Sequence, residues 1–172
     1  MTQGTLLIVE DEFDLLEILV EMLSPVCGKI LTTSNGKEAL DVLSGTEKIH
    51  AVLSDINMPL MTGFQLLAQV RESGSIIPFV TLTAYADQEN MRESIRLNAT
   101  DFLTKPFDRK ELADVIGKAL RQGINLDEIQ QEMQTRAQDL KITSEFLEYY
   151  QTYQKKIMGI RIENSKYIKQ RS

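Results

Sequence analysis

The sequence predicts an α/β fold: a five-stranded, doubly wound parallel sheet over residues 1–122, followed by a long α-helical arm over 123–172. Three observations predict it. Short apolar runs alternate with stretches of helical period through the first 122 residues. Several of those runs are apolar without alternation, as strands buried on both faces are. After Gly123 there is no proline, and apolar residues return every seven positions.

The elements follow in chain order. Residues 5–9 form a continuous apolar run, the first strand. Phe13, Leu16, Ile18, Leu19 and Met22 then recur at helical spacing until Ser24-Pro25 stops the pattern. Residues 29–33 read as a second strand, and Asn35 can cap a helix through Leu43 that ends at Ser44-Gly45. A third strand is expected over 51–54, with a helix over about 62–71 after a loop containing Met-Pro. Residues 76–82 read as a fourth strand, and Asp87 as the cap of a helix to about Leu97. A short strand at 101–103 and a helix over 108–122 complete the series. Strands and helices in strict alternation imply a parallel sheet covered on both faces. Such sheets bind ligands outside the carboxyl ends of their strands, where strand order reverses. Residues 10–11, 55–59, 83–86 and 104–106 are therefore where chemistry is expected.

Composition narrows the class. The 172 residues suit one compact domain plus an extension, and 42% hydrophobic with 26% charged content is ordinary for a soluble protein. No run approaches the roughly 18 apolar residues of a membrane span, and the N-terminus lacks a basic signal-peptide region. The lone Cys27 excludes an internal disulfide and reads as a core filler, so a cytoplasmic location is expected. Of the net charge of −6, residues 1–122 carry 11 bases and 18 acids (11 − 18 = −7), and the remainder 8 and 7 (8 − 7 = +1). An acidic front argues against direct nucleic-acid binding. The single His50 has no partner at ligand or triad spacing and reads as structural or exposed.

Read strand by strand, the predicted sheet edge collects Glu10 and Asp11 from the first strand, Asp55 from the third, Thr83 from the fourth and Lys105 beyond the fifth. Three converging carboxylates repel one another and call for a compensating charge. A hard divalent ion such as Mg²⁺ suits an all-oxygen donor set. A hydroxyl and an ammonium beside it complete a pocket for a phosphoryl group, whose transfer depends on positioning and charge neutralisation. Asp55 would be the nucleophile that accepts it as an acyl phosphate.

The segments Val9-Glu10-Asp11-Glu12, Asp55-Ile56-Asn57-Met58-Pro59 with Gly63, Thr83-Ala84 and Lys105-Pro106-Phe107 resemble the response-regulator receiver (CheY-like) family over about residues 4–122. The resemblance implies a flavodoxin-like domain that takes phosphate from a histidine kinase or histidine phosphotransfer protein. It is a signalling switch rather than a classical enzyme, catalysing only its own phosphotransfer and dephosphorylation. It implies Asp55 as acceptor; Asp11, Asp55 and the Asn57 backbone carbonyl on Mg²⁺, with Glu10 acting through water; Thr83 and Lys105 on the phosphoryl oxygens; and Phe102 as a switch aromatic that turns inward when Thr83 moves. Three departures are mild. A Glu-Asp pair stands where Asp-Asp is also common, and Tyr85 is bulky enough to shield an acyl phosphate. Asn98 stands where the family often has Gly, and Asn tolerates the left-handed conformation.

Gly123 is placed as a helix C-cap, and Asn125 with Glu128 as a capping box for a new helix. In that arm Leu126, Met133, Leu140 and Leu147 recur every seven residues, with Ile129, Tyr150 and Ile157 between them and Arg136 and Thr143 interrupting. A second stripe runs through Phe146, Tyr149, Tyr153, Ile157 and Ile160. Such faces need cover, so a homodimer through 126–160 is expected, against the alternative of folding back on the chain's own domain. Other classes fit less well. An aspartyl phosphatase needs a second acid two residues past its nucleophile, where this chain has Asn57. A nucleotide-binding module needs a glycine-rich phosphate loop, which is absent. A receiver-like docking module that never takes phosphate is the alternative that remains.

Overall fold

The computed structural model describes residues 4–84 and 88–139, together with Tyr149 and Thr152. The strands are β1 (Thr5–Val9), β2 (Lys29–Thr33), β3 (Ala51–Asp55), β4 (Phe79–Thr83) and β5 (Asp101–Thr104). Between and after them lie α1 (Phe13–Leu23), α2 (Gly36–Ser44), α3 (Gly63–Glu72), α4 (Gln88–Arg96) and α5 (Arg109–Asp139). All four strand pairings are parallel, in the order β2-β1-β3-β4-β5, so strand order reverses between β1 and β3. The chain divides into two units, Met1–Ile124 and Asn125–Ser172.

Period-two alternation explains the two layers. On β1, Leu6 and Ile8 face a core shared with Leu19 and Leu23 of α1 and Leu112, Ile116 and Leu120 of α5. Leu7 and Val9 face the other core, with Ala39 of α2 and Leu66, Leu67 and Val70 of α3. Each fully buried leucine contributes roughly 1.5–3 kcal/mol. The edge strand β2 is only half covered, unlike β1, β3 and β4.

Local signals act where the sequence places them. Asn35 Oδ1 accepts from the backbone N–H groups of Lys37 and Glu38 at 3.1 and 3.0 Å, capping α2. Asp108 does the same for α5 through Glu111 N at 2.8 Å. Thr62 and Gln65 form a reciprocal capping box at α3. Asn98 adopts φ 56°, the left-handed conformation expected of it. The half-buried Arg71 guanidinium donates to the carbonyls of Asn98 and Ser75, and burial lowers its pKa to about 10.

Three expectations shift. β3 includes Asp55, so the acid ends the strand rather than following it. β4 begins at Phe79, not at 76, because Pro78 has no N–H for the ladder. Most consequentially, α5 does not end at Gly123 and no new helix starts at Asn125; one helix runs from Arg109 to Asp139. A Cβ on Gly123 would lie 1.7 Å from the His50 carbonyl oxygen, so the glycine permits a close backbone approach rather than a helix end. His50 is structural there: its Nδ1 accepts from Thr5 N at 2.9 Å, and its own N–H donates to Thr5 O at 2.9 Å. Leu126 and Met133 lie on α5, half-buried, with Ile129 exposed. Leu140, Leu147, Tyr150 and Ile157 of the seam lie outside the described residues, as do Asp87 and Tyr85.

Candidate functional site

β1 hands directly into the acidic pair. Glu10 N donates to Thr33 O at 3.1 Å, which carries the β1–β2 ladder one residue past the strand. The Glu10 carboxylate is buried and accepts from Glu12 N at 3.2 Å; Asp11 beside it is exposed. Asp55, also buried, is held on β3 next to them. Its Oδ1 accepts from Ile56 N at 2.8 Å. The loop that follows must return to the strand end, and Gly63 makes that possible. A Cβ there would lie 2.2 Å from the Asp55 carbonyl oxygen, and Gly63 N donates to Ile56 O at 2.9 Å. Within this loop Met61 N donates to Pro59 O at 2.7 Å, and Leu60 between them takes φ 67°.

Lys105 arrives from beyond β5. Its backbone N–H donates to Thr83 O at 2.7 Å, and the Lys105–Pro106 peptide bond is cis. Its ammonium lies 3.1 Å from Glu10 Oε2 and 3.1 Å from Asp55 Oδ2. One cation is thus shared by two buried carboxylates. Burial is the main reason the Glu10 pKa is raised, reinforced by the Asp55 charge; the Glu12 N–H and Lys105 oppose it. Burial alone would lower Lys105, but the attraction of Asp55 and Glu10 outweighs it and the pKa is raised. The ammonium is therefore the counter-charge of the site at neutral pH.

Carboxylate oxygens of Glu10, Asp11 and Asp55 all lie within 4.8 Å of one another. Three acids and one ammonium leave a local charge of −2, and the donors are all oxygen. That set fits a hard divalent cation such as Mg²⁺. Asn57, two residues past Asp55, is exposed.

Thr83 is buried at the end of β4, and Asn90 Nδ2 of α4 donates to its hydroxyl at 3.4 Å. Phe102 is half-buried on β5, outside both core clusters. The sheet therefore brings Glu10, Asp11, Asp55 and Lys105 together, with Thr83 at the neighbouring strand end. His50 is not among them, and Cys27 packs against the α1–α5 core, where burial pushes its thiol up to about 11. Sequence reasoning did not single out Asn90; its spacing of seven from Thr83 is a signal only once α4 is known to lie over β4. Nor did it single out Leu60, since a left-handed leucine has no local sequence mark.

The response regulator receiver domain model matches residues 6–117. The chain belongs to this family, which is one of signalling switches rather than classical enzymes. Response regulator SaeR of Staphylococcus aureus is 35% identical over 107 residues, covering 62% of this chain and 46% of SaeR, so the match spans about half of that relative. Among solved structures, chemotaxis response regulator CheY4 of Vibrio cholerae is 27% identical with a TM-score of 0.62, covering 68% of this chain and 98% of that one. The receiver domain of sensor histidine kinase PA1611 from Pseudomonas aeruginosa PAO1 is 25% identical with a TM-score of 0.62, covering 69% and 98%. That structure is described with a magnesium ion coordinated in its active-site cleft. Among the described residues, no helix is long and apolar enough to cross a membrane.

Proposed function

We propose that this receiver works by phosphorylation of Asp55, with a histidine kinase or histidine phosphotransfer protein as donor, in the cytoplasm. The observation that carries the reading is the Lys105 ammonium 3.1 Å from Asp55 Oδ2, inside a buried acidic cluster. A carboxylate oxygen of Asp55 attacks the phosphorus of a phosphoimidazole. The new P–O bond forms as the P–N bond breaks, and the imidazole nitrogen leaves with the electron pair. Lys105 stabilises charge on the phosphoryl oxygens, and the Thr83 hydroxyl donates to one of them. Asp11, Asp55 and the Asn57 carbonyl would hold Mg²⁺, with Glu10 acting through water. The ion would supply the charge neutralisation that three acids need before a phosphoryl group can approach.

Thr83 and Phe102 form the switch in this reading: Thr83 moves toward the phosphoryl group and Phe102 turns into the space it leaves. The domain ends near residue 122, and the arm from 123 onward carries output through a homodimer seam over 126–160. Acetyl phosphate with Mg²⁺ is expected to add one phosphoryl group, detected by intact mass, and Asp55→Asn to abolish it. Equal labelling of the variant refutes the acceptor; no labelling of either protein leaves a docking module that never takes phosphate. For the arm, sedimentation of residues 1–172 should show a dimer at micromolar to near-millimolar concentration and a 1–122 truncation a monomer. A monomeric full-length chain sinks the seam.

A further inference from the structure

α4 turns a polar side to the sheet. Ser94 is 3% exposed, and its hydroxyl lies 3.2 Å from that of the buried Thr81 on β4. One turn earlier, Asn90 Nδ2 donates to the Thr83 hydroxyl at 3.4 Å. The apolar Met91 and Ile95, four residues apart, face solvent instead. Among the described residues, no member of α4 enters either core cluster, and only Leu97, just past its end, packs against one, whereas α1, α2, α3 and α5 all contribute buried residues. A helix seated by apolar packing can shift by small amounts without losing its contacts. One seated by hydroxyl and amide bonds has discrete attachments that are made or broken.

We infer that Asn90 is a positioning residue for the switch: it ties the Thr83 hydroxyl to α4 at rest and opposes its movement toward the phosphoryl group. The inference rests on the reading of Asp55 as acceptor. Geometry gives the opposition its direction. Asp55 lies on β3, on one side of β4, while α4 packs on β5, on the other. At 3.4 Å the Asn90 contact is already at the long end for an N–H···O bond, so movement of Thr83 toward Asp55 breaks it. The same movement that engages the phosphoryl group therefore removes one of α4's attachments, while the Thr81–Ser94 pair one turn on remains.

Two measurements on the full chain test this. Without ligand, Asn90→Ala should speed amide exchange across Met91–Ile95 by about 2-fold or more, the least that losing one neutral hydrogen bond gives. With Mg²⁺ and beryllofluoride as the phosphoryl mimic, the same variant should bind the mimic more tightly by a similar factor. Asn90→Asp keeps the shape but offers only an acceptor, to which the Thr83 hydroxyl can donate, so it should weaken mimic binding. In a Thr83→Val background, Asn90→Ala should accelerate exchange by less than it does in the unmodified chain. The tie is overturned if Asn90→Ala changes neither readout, if both variants shift mimic binding the same way, or if the effect on exchange is undiminished without the Thr83 hydroxyl. Failure of the unmodified chain to bind beryllofluoride would instead count against the acceptor reading, with the exchange data still judging the tie.

Discussion

At the carboxyl ends of β1 and β3, Glu10, Asp11 and Asp55 crowd within 4.8 Å of one another, with Lys105 bridging Glu10 and Asp55, whereas at the amino ends of the same strands Thr5 and His50 share two hydrogen bonds and Gly123 packs on the His50 carbonyl. Both ends are tight, for opposite reasons. The first holds like charges together, which disfavours the fold: burial, with the Asp55 charge, raises the Glu10 pKa, so ionising it costs the folded state more than the unfolded one. The second holds no formal charge. It gains from two hydrogen bonds between Thr5 and His50 and from a helix whose Gly123 sits against the His50 carbonyl. Each end also depends on one glycine against a carbonyl oxygen, Gly63 on Asp55 and Gly123 on His50. The difference teaches that the same two strands end in groups that oppose folding on one side and in groups that favour it on the other.

The largest effect is expected at the uncharged end. Gly123→Ala places a Cβ 1.7 Å from the His50 oxygen, and the backbone cannot yield as a flexible side chain could. A loss of about 3 kcal/mol or more is expected, at the upper end for overpacking, read from urea denaturation. An unchanged midpoint would mean that α5 is not seated there.

At the charged end the substitutions should move ligand binding more than stability. Asp11→Asn is expected to weaken Mg²⁺ by roughly 10-fold or more, about 1.4 kcal/mol, and Glu10→Gln by less, measured by calorimetry. Equal losses would mean that the direct and water-mediated roles are misassigned. Glu10→Gln should also stabilise the metal-free protein at pH 7. The sign follows from the raised pKa: a carboxyl that holds its proton more tightly when folded costs stability as pH rises from its unfolded value through its folded one. The advantage of the variant should therefore vanish as pH falls below about 4.5. A gain that persists in acid would have another origin.

Smallest is Leu60, on the loop between the acid and its glycine. Its left-handed φ of 67° costs a leucine about 1–2 kcal/mol, and at 75% exposure the side chain offsets little of that by packing. Leu60→Asn is expected to raise stability by up to about 1 kcal/mol in thermal unfolding. A loss would show that the leucine packs usefully in the folded chain.

Much of this molecule is legible in one dimension. The apolar runs mark β1 and β3 to within a residue, because a parallel strand buried on both faces needs no partner to declare itself. Asn35 capping α2 and Asn98 turning left-handed are local chemistry, decided by the residue and its immediate neighbours. The candidate site was legible for the same reason: strand ends carry acids, and topology places strand ends together.

What the tertiary structure alone decided concerns contacts between residues far apart in the chain. Gly123 followed by Asn125 and Glu128 has the local form of one helix ending and another beginning, yet α5 runs on to Asp139. Local signals cannot distinguish a glycine that ends a helix from one that lets a carbonyl 73 residues earlier come close. The sharing of Lys105 between Glu10 and Asp55, and the polar seat of α4 on Thr81 and Thr83, belong to the same kind. Sequence determines what each segment can offer, because propensity and capping act within a few residues. Which offers are taken up depends on what the fold brings within about 3 Å, the range over which hydrogen bonds and steric exclusion operate.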